Sequence, residues 1–324
     1  MKKVIGVMIA TLLVIGLAAC GNGKSSGGAS KGGGSGKSDE IVIGMSFPAA
    51  DHGWMAALID NAKKEAEGQH VKYKISTASD PNQQANDVQD LITQKVDVIV
   101  MDPIESDALT PVGQKVKDAG IPLVIVDREL TNDSATAVIK GDNEGIGKNA
   151  GKYIDELLGG KGKVAILSGP PSSVTTLRTN GFKDAIKSYP DIKVVAEQSG
   201  DFQQEKSLSV MKNILQSQSH LDAIYTEDDE MALGALQAIK EANRTDIKVV
   251  TGAGGEKNIF EDIKNDNTAM KATFLYSPTM SKDAVDLAIK IAKGEKPEQK
   301  INVIEATEVT KSNVDKYYDA DSKY

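Results

Sequence analysis

Residues 121–128 read Ile-Pro-Leu-Val-Ile-Val-Asp-Arg, and this stretch points to the fold. The part from Pro122 to Val126 is a short apolar run rich in β-branched residues, which is typical of a strand buried on both faces of a parallel sheet. The run ends abruptly in the charged pair Asp127-Arg128. Because a charged pair at the tip of a buried strand needs partners or solvent, the sequence places this pair at the edge of the sheet.

Similar apolar runs occur on both sides of this stretch, and amphipathic stretches of helical length separate them. The alternation predicts parallel βαβ units, with helices between the strands, for example at 60–67 and 230–241. The predicted strands are 41–47, 71–77, 96–101, 122–126, 137–140, 164–167, 193–197, 223–226, 248–251 and 272–275.

The body of the chain, from about residue 41 to residue 324, is too long for one ordinary hydrophobic core. One series of strand and helix units closes near Val126, and a second series starts near Ala137. We therefore predict an α/β protein with two doubly wound parallel-sheet domains.

The N-terminal residues indicate export. Lys2 and Lys3 precede an apolar run at 4–17 that ends in Leu-Ala-Ala-Cys, so residues 1–20 are predicted to be a signal peptide. The run is shorter than the roughly 20 residues of a membrane-spanning helix, which makes a permanent span the weaker interpretation. Cys20 is the only cysteine and resembles the lipidated residue of a bacterial lipobox, with a free thiol as the alternative. Residues 21–40, rich in Gly, Ser and Lys, are predicted to be a flexible tether.

Composition excludes several functions. The net charge is −8, and the sequence contains no cluster of basic residues, so no nucleic-acid partner is expected. The glycine-rich stretches at 145–151 and 252–255 lack the Gly-x-Gly-x-x-Gly spacing of a dinucleotide loop. The three histidines are scattered, so no metal site or nucleophile is assembled. We therefore expect no cofactor, no metal and no catalysis.

Candidate binding residues follow the predicted strands, because ligands of open α/β sheets gather outside the carboxyl ends of the strands. These residues combine carboxylates, arginines and aromatic rings. They are His52, Trp54, Asp127, Arg128, Arg178, Phe202 and Asp228. Such a set suits a polyhydroxylated ligand, since carboxylates accept from hydroxyl groups, arginines donate in a fork and rings cover C–H faces.

Each candidate also has a structural interpretation. Asp127 and Arg128 are alternatively a salt bridge that caps the strand, and Trp54 is alternatively a core residue. In the acidic run that follows strand 223–226, we expect Asp228 to face the ligand and Asp229 to cap the next helix.

Five stretches together resemble the ribose- and galactofuranose-binding branch of the periplasmic sugar-binding proteins. They are Asp-Val-Ile-Val-Met-Asp-Pro at 97–103, the stretch at 121–128, Arg-Thr-Asn-Gly-Phe at 178–182, Ser-Gly-Asp-Phe at 199–202 and Asp-Glu-Met-Ala-Leu-Gly-Ala at 229–235. The resemblance extends from residue 41 to about residue 297.

The resemblance implies that two domains are joined by three strands, with a sugar bound in the cleft between them. It places 41–141 plus 277–305 in the first domain and 142–276 plus 306–324 in the second. Asp127 and Arg128 then resemble the hydroxyl-binding pair of the first domain, and Arg178 the arginine of the second. Trp54 and Phe202 resemble the two aromatic residues that cover the sugar ring.

Some positions depart from the family pattern. His52 and Asp228 stand where the family often has asparagine, and Tyr276 stands where ribose binders use an amide. Gly254 stands where the family commonly has an aspartate that binds sugar hydroxyls. Either Glu256 supplies the missing carboxylate or the ligand lacks the matching hydroxyl. The expected ligand is therefore a sugar or polyol other than ribose.

The function implied by the resemblance is that of an extracytoplasmic solute-binding protein of an ABC importer. We expect a monomer, anchored to the cell membrane by a lipid on Cys20, that delivers its ligand to an ABC transporter permease. A sensor lipoprotein that presents a similar ligand to a receptor kinase or chemoreceptor would use the same cleft. The effector domain of a repressor is disfavoured by the export signal, and an exported sugar-modifying enzyme has no visible catalytic residues.

Overall fold

The computed structural model describes residues 40–320 together with Ser322 and Tyr324. The predicted signal peptide, the predicted lipidation site Cys20 and the predicted tether as far as residue 39 lie outside the described residues. Within the described part, none of the helices combines the length and the apolar character that crossing a membrane requires.

Strands and helices alternate along the described part of the chain. In chain order the strands are β1 (Val42–Pro48), β2 (Lys72–Ala78), β3 (Val98–Met101), β4 (Leu123–Val126), β5 (Ala137–Gly141), β6 (Lys161–Ser168), β7 (Asp191–Ser199), β8 (Ala223–Thr226), β9 (Val249–Gly254), β10 (Met270–Leu275), β11 (Ile301–Ile304) and β12 (Glu308–Thr310). The helices are α1 (Gly53–Gly68), α2 (Pro81–Thr93), α3 (Ser106–Asp118), α4 (Asn143–Leu158), α5 (Ser173–Ile186), α6 (Gln204–Ser217), α7 (Asp229–Glu241), α8 (Lys257–Asn265) and α9 (Met280–Ala292).

The strands form two six-stranded sheets with the same order of strands. The first sheet runs β2-β1-β3-β4-β5-β11 and the second runs β7-β6-β8-β9-β10-β12. All neighbouring strands are parallel except β12, which is antiparallel to β10. Every residue of the central strands β3, β4 and β8 is buried, as expected for strands covered on both faces. The prediction of two doubly wound parallel-sheet domains is confirmed.

The chain passes between the sheets three times. It crosses after β5, returns to the first sheet after β10, and crosses again between β11 and β12. This is the three-strand connection that the resemblance implies. The first crossing and the second lie next to each other, because a Cβ atom added to Gly141 would meet the ring of Tyr276 at 2.2 Å.

Helix α1 begins earlier than the sequence predicts. The expected helix covers 60–67, whereas the helix begins at Gly53. The buried residues Trp54, Met55, Leu58 and Ala62 lie at helical spacing and pack the first turns against the core. Trp54 therefore lies in the first turn of a helix and not in the loop that precedes it.

Candidate functional site

A cavity lies between the carboxyl ends of the two sheets. About 320 Å³ of space free of protein atoms lies there, part of it open to solvent. Eight of the nine predicted ligand-binding residues line it, namely His52, Trp54, Asp127, Arg128, Arg178, Phe202, Asp228 and Tyr276. The seven residues that were chosen because they follow predicted strands all line this one cavity.

Glu256, the ninth predicted residue, does not line this cavity. Its carboxylate accepts hydrogen bonds from the Ile259 N–H at 3.0 Å and from Asn258 Nδ2 at 2.7 Å, and so caps helix α8. This corrects the expectation that Glu256 supplies a carboxylate in place of the one missing at Gly254. The carboxylate is already used by the end of the helix.

Asp127 and Arg128 form a buried but loose ion pair. Arg128 Nε lies 3.6 Å from Asp127 Oδ2 and 3.9 Å from Asp102 Oδ1, and Arg128 Nη1 donates to the Ile104 carbonyl at 2.9 Å. Arg128 Nε is buried and has no hydrogen-bond partner among the described residues. Burial raises the pKa of Asp127. Burial also raises the pKa of Asp102, and the negative charge of Asp127 raises it further. A salt bridge that only capped the strand would use this donor, so the geometry favours an external partner.

Arg178 projects from α5 into the cavity and is fixed on two sides. Its Nε donates to Asn143 Oδ1 at 2.9 Å, its Nη1 donates to the Glu227 carbonyl, and its guanidinium lies 4.3 Å from the centre of the Tyr276 ring. The third nitrogen, Nη2, is buried without a partner among the described residues. Arg178 is therefore oriented by the protein with one donor left over.

Close packing of α4 on α5 sets the position of Arg178. A Cβ atom added to Gly147 would lie 2.1 Å from the Arg178 carbonyl oxygen, so only glycine allows this approach. The glycines at 145–151, which lack the spacing of a dinucleotide loop, lie in helix α4, where Gly147 and Gly151 face α5.

Tyr276 connects the charged and aromatic parts of the site. Its hydroxyl donates to Asp127 Oδ1 at 2.5 Å and accepts from Asn143 Nδ2 at 3.2 Å. The Trp54 ring lies 5.4 Å away, and Trp54 Nε1 donates to the Tyr276 carbonyl at 2.7 Å. Trp54 is both a packed residue and a wall of the cavity, so its two interpretations are compatible. The rings of His52 and Phe202, which also line the cavity, have their centres 6.3 Å apart.

The roles expected for Asp228 and Asp229 need correction. Asp228 caps helix α7, because its Oδ1 accepts from the Met231 N–H at 2.8 Å, and it also lines the cavity. Asp229 is not the cap. Its Oδ2 accepts from the N–H groups of Gly255 and Glu256 at 2.7 and 2.8 Å, and its Oδ1 from Thr273 at 2.7 Å. Burial raises the pKa of Asp229 to about 6.

Three further residues line the cavity and were missed. Val174 and Ala253 are apolar and follow no pattern that distinguishes them from core residues. Tyr324 lies beyond the last strand, where strand and helix periodicity gives no signal. In chemical terms the cavity offers guanidinium donors, carboxylate acceptors and ring faces. Within the described residues, no group of three or more His, Cys, Asp or Glu side chains is placed to hold a metal.

Comparison with known proteins gives one consistent family. A model described as a periplasmic binding protein domain matches residues 43–296. The ribose import binding protein of Bacillus subtilis is 34% identical over 271 residues, which cover 83% of this chain and 87% of that protein.

Solved structures agree with this match. A galactofuranose binding protein has a TM-score of 0.81 at 29% identity, covering 86% of this chain and 97% of that chain. An ABC transporter solute binding protein from Bacillus halodurans with bound myo-inositol has a TM-score of 0.82 at 28% identity, and the match covers 89% of this chain and 100% of that chain. These relatives are binding proteins of transporters, which confirms the prediction of a binding protein and not an enzyme. The chain belongs to the periplasmic binding protein family, as the resemblance in its sequence predicts.

Proposed function

We propose that this chain binds a sugar or polyol in the cavity between its two domains and delivers it to the permease of an ABC importer. The observation that carries the proposal is a pair of buried donors, Arg128 Nε and Arg178 Nη2, that make no hydrogen bond with the described residues and belong to side chains lining the same cavity. A buried donor without a partner costs about 1–3 kcal/mol. The hydroxyl oxygens of a ligand would satisfy both donors.

The surface of the cavity supports a small polyhydroxylated ligand, because guanidinium and carboxylate groups lie beside aromatic rings in its lining. Trp54 and Phe202 offer ring faces to the C–H groups of such a ligand. The relatives named above bind or import ribose, galactofuranose and myo-inositol, which are all small and rich in hydroxyl groups.

The ligand-binding set we propose is His52, Trp54, Asp127, Arg128, Arg178, Phe202, Asp228 and Tyr276. Tyr276 and Asp228, together with the missing side chain at Gly254, favour a ligand other than ribose. Tyr276 uses its hydroxyl on Asp127 and Asn143, so the position does not present the free amide expected of a ribose binder.

A screen of residues 38–324 by thermal shift tests this function. The panel should contain pentoses, hexoses, furanoses and polyols, with amino acids and nucleosides as the control classes. A ligand at about 100 times its dissociation constant adds about 2.7 kcal/mol to the free energy of unfolding. Stabilisation by a member of the first group supports the proposal. Stabilisation by a control class alone contradicts it.

We also propose that the mature protein is a monomer anchored on the extracytoplasmic face of the cell membrane through lipid on Cys20, with residues 21–40 as the tether. Two acyl chains hold a protein stably on a membrane, whereas one does not. Changing Cys20 to Ser should release the protein or leave it unprocessed, whereas Ser26→Ala in the same segment should leave it on the membrane. A processed Cys20→Ser chain that stays in the membrane fraction would overturn the anchor.

A further inference from the structure

Tyr324 forms part of the wall of the cavity. The residue is 8% exposed, and it lines both the ligand cavity and the neighbouring open groove that runs past Ala56 and Tyr317. The ring therefore stands between the two spaces. Its position makes it part of the binding site although it lies far along the chain from the other site residues.

The hydroxyl of Tyr324 occupies the space of a side chain that is absent at Gly254. A Cβ atom added to Gly254 would lie 2.4 Å from Tyr324 Oη and 3.2 Å from Asp229 Oδ2. Gly254 also has a φ of +144°, which L residues with side chains rarely adopt. Gly254 and Tyr324 are thus complementary, because the absence of a side chain at one position admits the phenol of the other.

The same hydroxyl is buried and has no hydrogen-bond partner among the described residues. The nearby Asp229 carboxylate already accepts from two backbone N–H groups and from Thr273. Burial, and after it the charges of Asp229 and Asp228, raise the pKa of Tyr324 well above its ordinary value. The phenol therefore keeps its proton and is a hydrogen-bond donor.

We infer that Tyr324 is a ligand-binding residue, whose hydroxyl donates a hydrogen bond to one hydroxyl oxygen of the bound sugar or polyol and thereby selects among stereoisomers. The inference rests on the proposed function, since it assigns a further contact in the same cavity. A buried donor rejects ligands that leave it unsatisfied, so the configuration of one carbon of the ligand decides whether the contact forms.

The test compares Tyr324→Phe with the wild type against the epimers ribose, arabinose, xylose and lyxose, together with myo-inositol and galactose, by calorimetry. Removing the hydroxyl should weaken binding of the preferred compound by about three- to tenfold and should change the order of affinities across the panel. Tyr317→Phe is the matched control, because Tyr317 lines the groove but not the cavity, and it should leave every affinity unchanged.

The melting temperature of the free protein separates this role from a structural one. Removing an unsatisfied buried hydroxyl should leave the melting temperature of free Tyr324→Phe equal to or above that of the wild type. Unchanged affinities, or a uniform loss of affinity with a lower melting temperature, would overturn the role of Tyr324 and leave the proposed function standing. If the wild type binds no sugar or polyol of the thermal-shift screen, the proposed function fails and this inference fails with it.

Discussion

At the scale of single residues, the protein fixes its two cavity arginines by different means. Arg178 has two nitrogens bound to the protein and a tyrosine ring beneath it, so it is rigid before any ligand arrives. Arg128 is bound through one nitrogen and lies near two carboxylates, Asp127 and Asp102, at distances longer than hydrogen bonds. A ligand bound in this cavity would meet one preorganised guanidinium nitrogen, Arg178 Nη2, from one domain, and from the other domain Arg128 Nε, which makes no hydrogen bond with the described residues.

The ligand role of Arg178 is tested by Arg178→Lys. Lysine keeps the charge, but its single nitrogen cannot serve Asn143, the Glu227 carbonyl and a ligand at once. We expect the affinity for the preferred compound of the thermal-shift panel, measured by calorimetry, to be more than tenfold lower than that of the wild type. Arg244→Lys is the matched control, since Arg244 is paired with Asp246 and does not line the cavity. Equal affinities for Arg178→Lys and the wild type would contradict a ligand role for Arg178.

Glu227 makes stability depend on pH. The residue is fully buried, its Oε2 accepts from the Gly169 N–H at 2.9 Å and its Oε1 accepts from Thr179, yet burial raises its pKa to about 7 from an ordinary value of 4.5. Because the folded-state pKa is the higher one, the native state binds more protons than the unfolded state between pH 4.5 and pH 7. Stability therefore falls as pH rises through this window.

The variant Glu227→Gln isolates this contribution. Glutamine can accept from Gly169 and donate to Thr179, but it does not titrate. Between pH 4.5 and 7.5 the wild type should lose about 3 kcal/mol of unfolding free energy relative to this variant, measured by urea unfolding. Asp229 titrates in both proteins and cancels in the difference. Relative to the control Glu241→Gln, the wild type should show no such loss, because a hydrogen bond from Lys212 lowers the pKa of Glu241. If the difference in unfolding free energy between the wild type and Glu227→Gln did not change with pH, the pH dependence would not come from Glu227.

At the scale of elements, the ten predicted strands are all present, because in each of them a short segment with apolar and β-branched residues lies between polar segments. The two that were missed give no such signal: β11 alternates between exposed and half-buried residues, and β12 spans only Glu308–Thr310. The site was predictable wherever a polar or aromatic residue followed a strand. Tyr324 and the division of roles between Asp228 and Asp229 were not predictable, since both depend on contacts between distant parts of the chain.

The junction of the first two crossings is tested by Gly141→Ala. The added methyl group would lie 2.2 Å from the Tyr276 ring, which Arg178 and Trp54 hold from other sides. We expect a loss of about 1–3 kcal/mol in unfolding free energy together with weaker binding, because overpacking displaces the ring. Gly68→Ala is the control, since no atom of the described residues lies within 4 Å of its added Cβ. Wild-type stability and affinity for Gly141→Ala would show that the ring moves freely.

At the scale of the whole molecule, direct hydrogen bonds join the two domains around the cavity. The Trp54 N–H donates to Glu230 Oε1 at 3.0 Å, the Glu129 N–H donates to Ser173 Oγ at 2.8 Å, and Gln203 Nε2 donates to Asp51 at 3.1 Å. The structure is therefore a closed arrangement. A ligand can favour closure only through contacts with both domains at once, and the two cavity arginines come from different domains.

We predict that ligand closes the domains and that Trp54, the only tryptophan, reports the change. Opening would break the Trp54–Glu230 hydrogen bond and expose the indole, whereas closure buries the ring, which is 7% exposed in the closed form. Titration with the preferred compound of the panel should give a saturable change in emission and, in small-angle scattering, a smaller radius of gyration. Closure is a hinge motion at the three crossings, so both domains should stay rigid.

A substitution outside the cavity distinguishes domain closure from binding without any movement of the domains. Ser173 lies outside the cavity lining, but its hydroxyl accepts the interdomain hydrogen bond from Glu129. Ser173→Ala should lower the population of the closed form and weaken apparent affinity by about two- to fivefold, since apparent affinity scales with the binding-competent fraction. Ser217→Ala, at the end of α6, should bind as the wild type does. Tight binding with no change in emission or in radius of gyration would refute closure, and unaltered affinity of Ser173→Ala would show that this contact does not contribute to it.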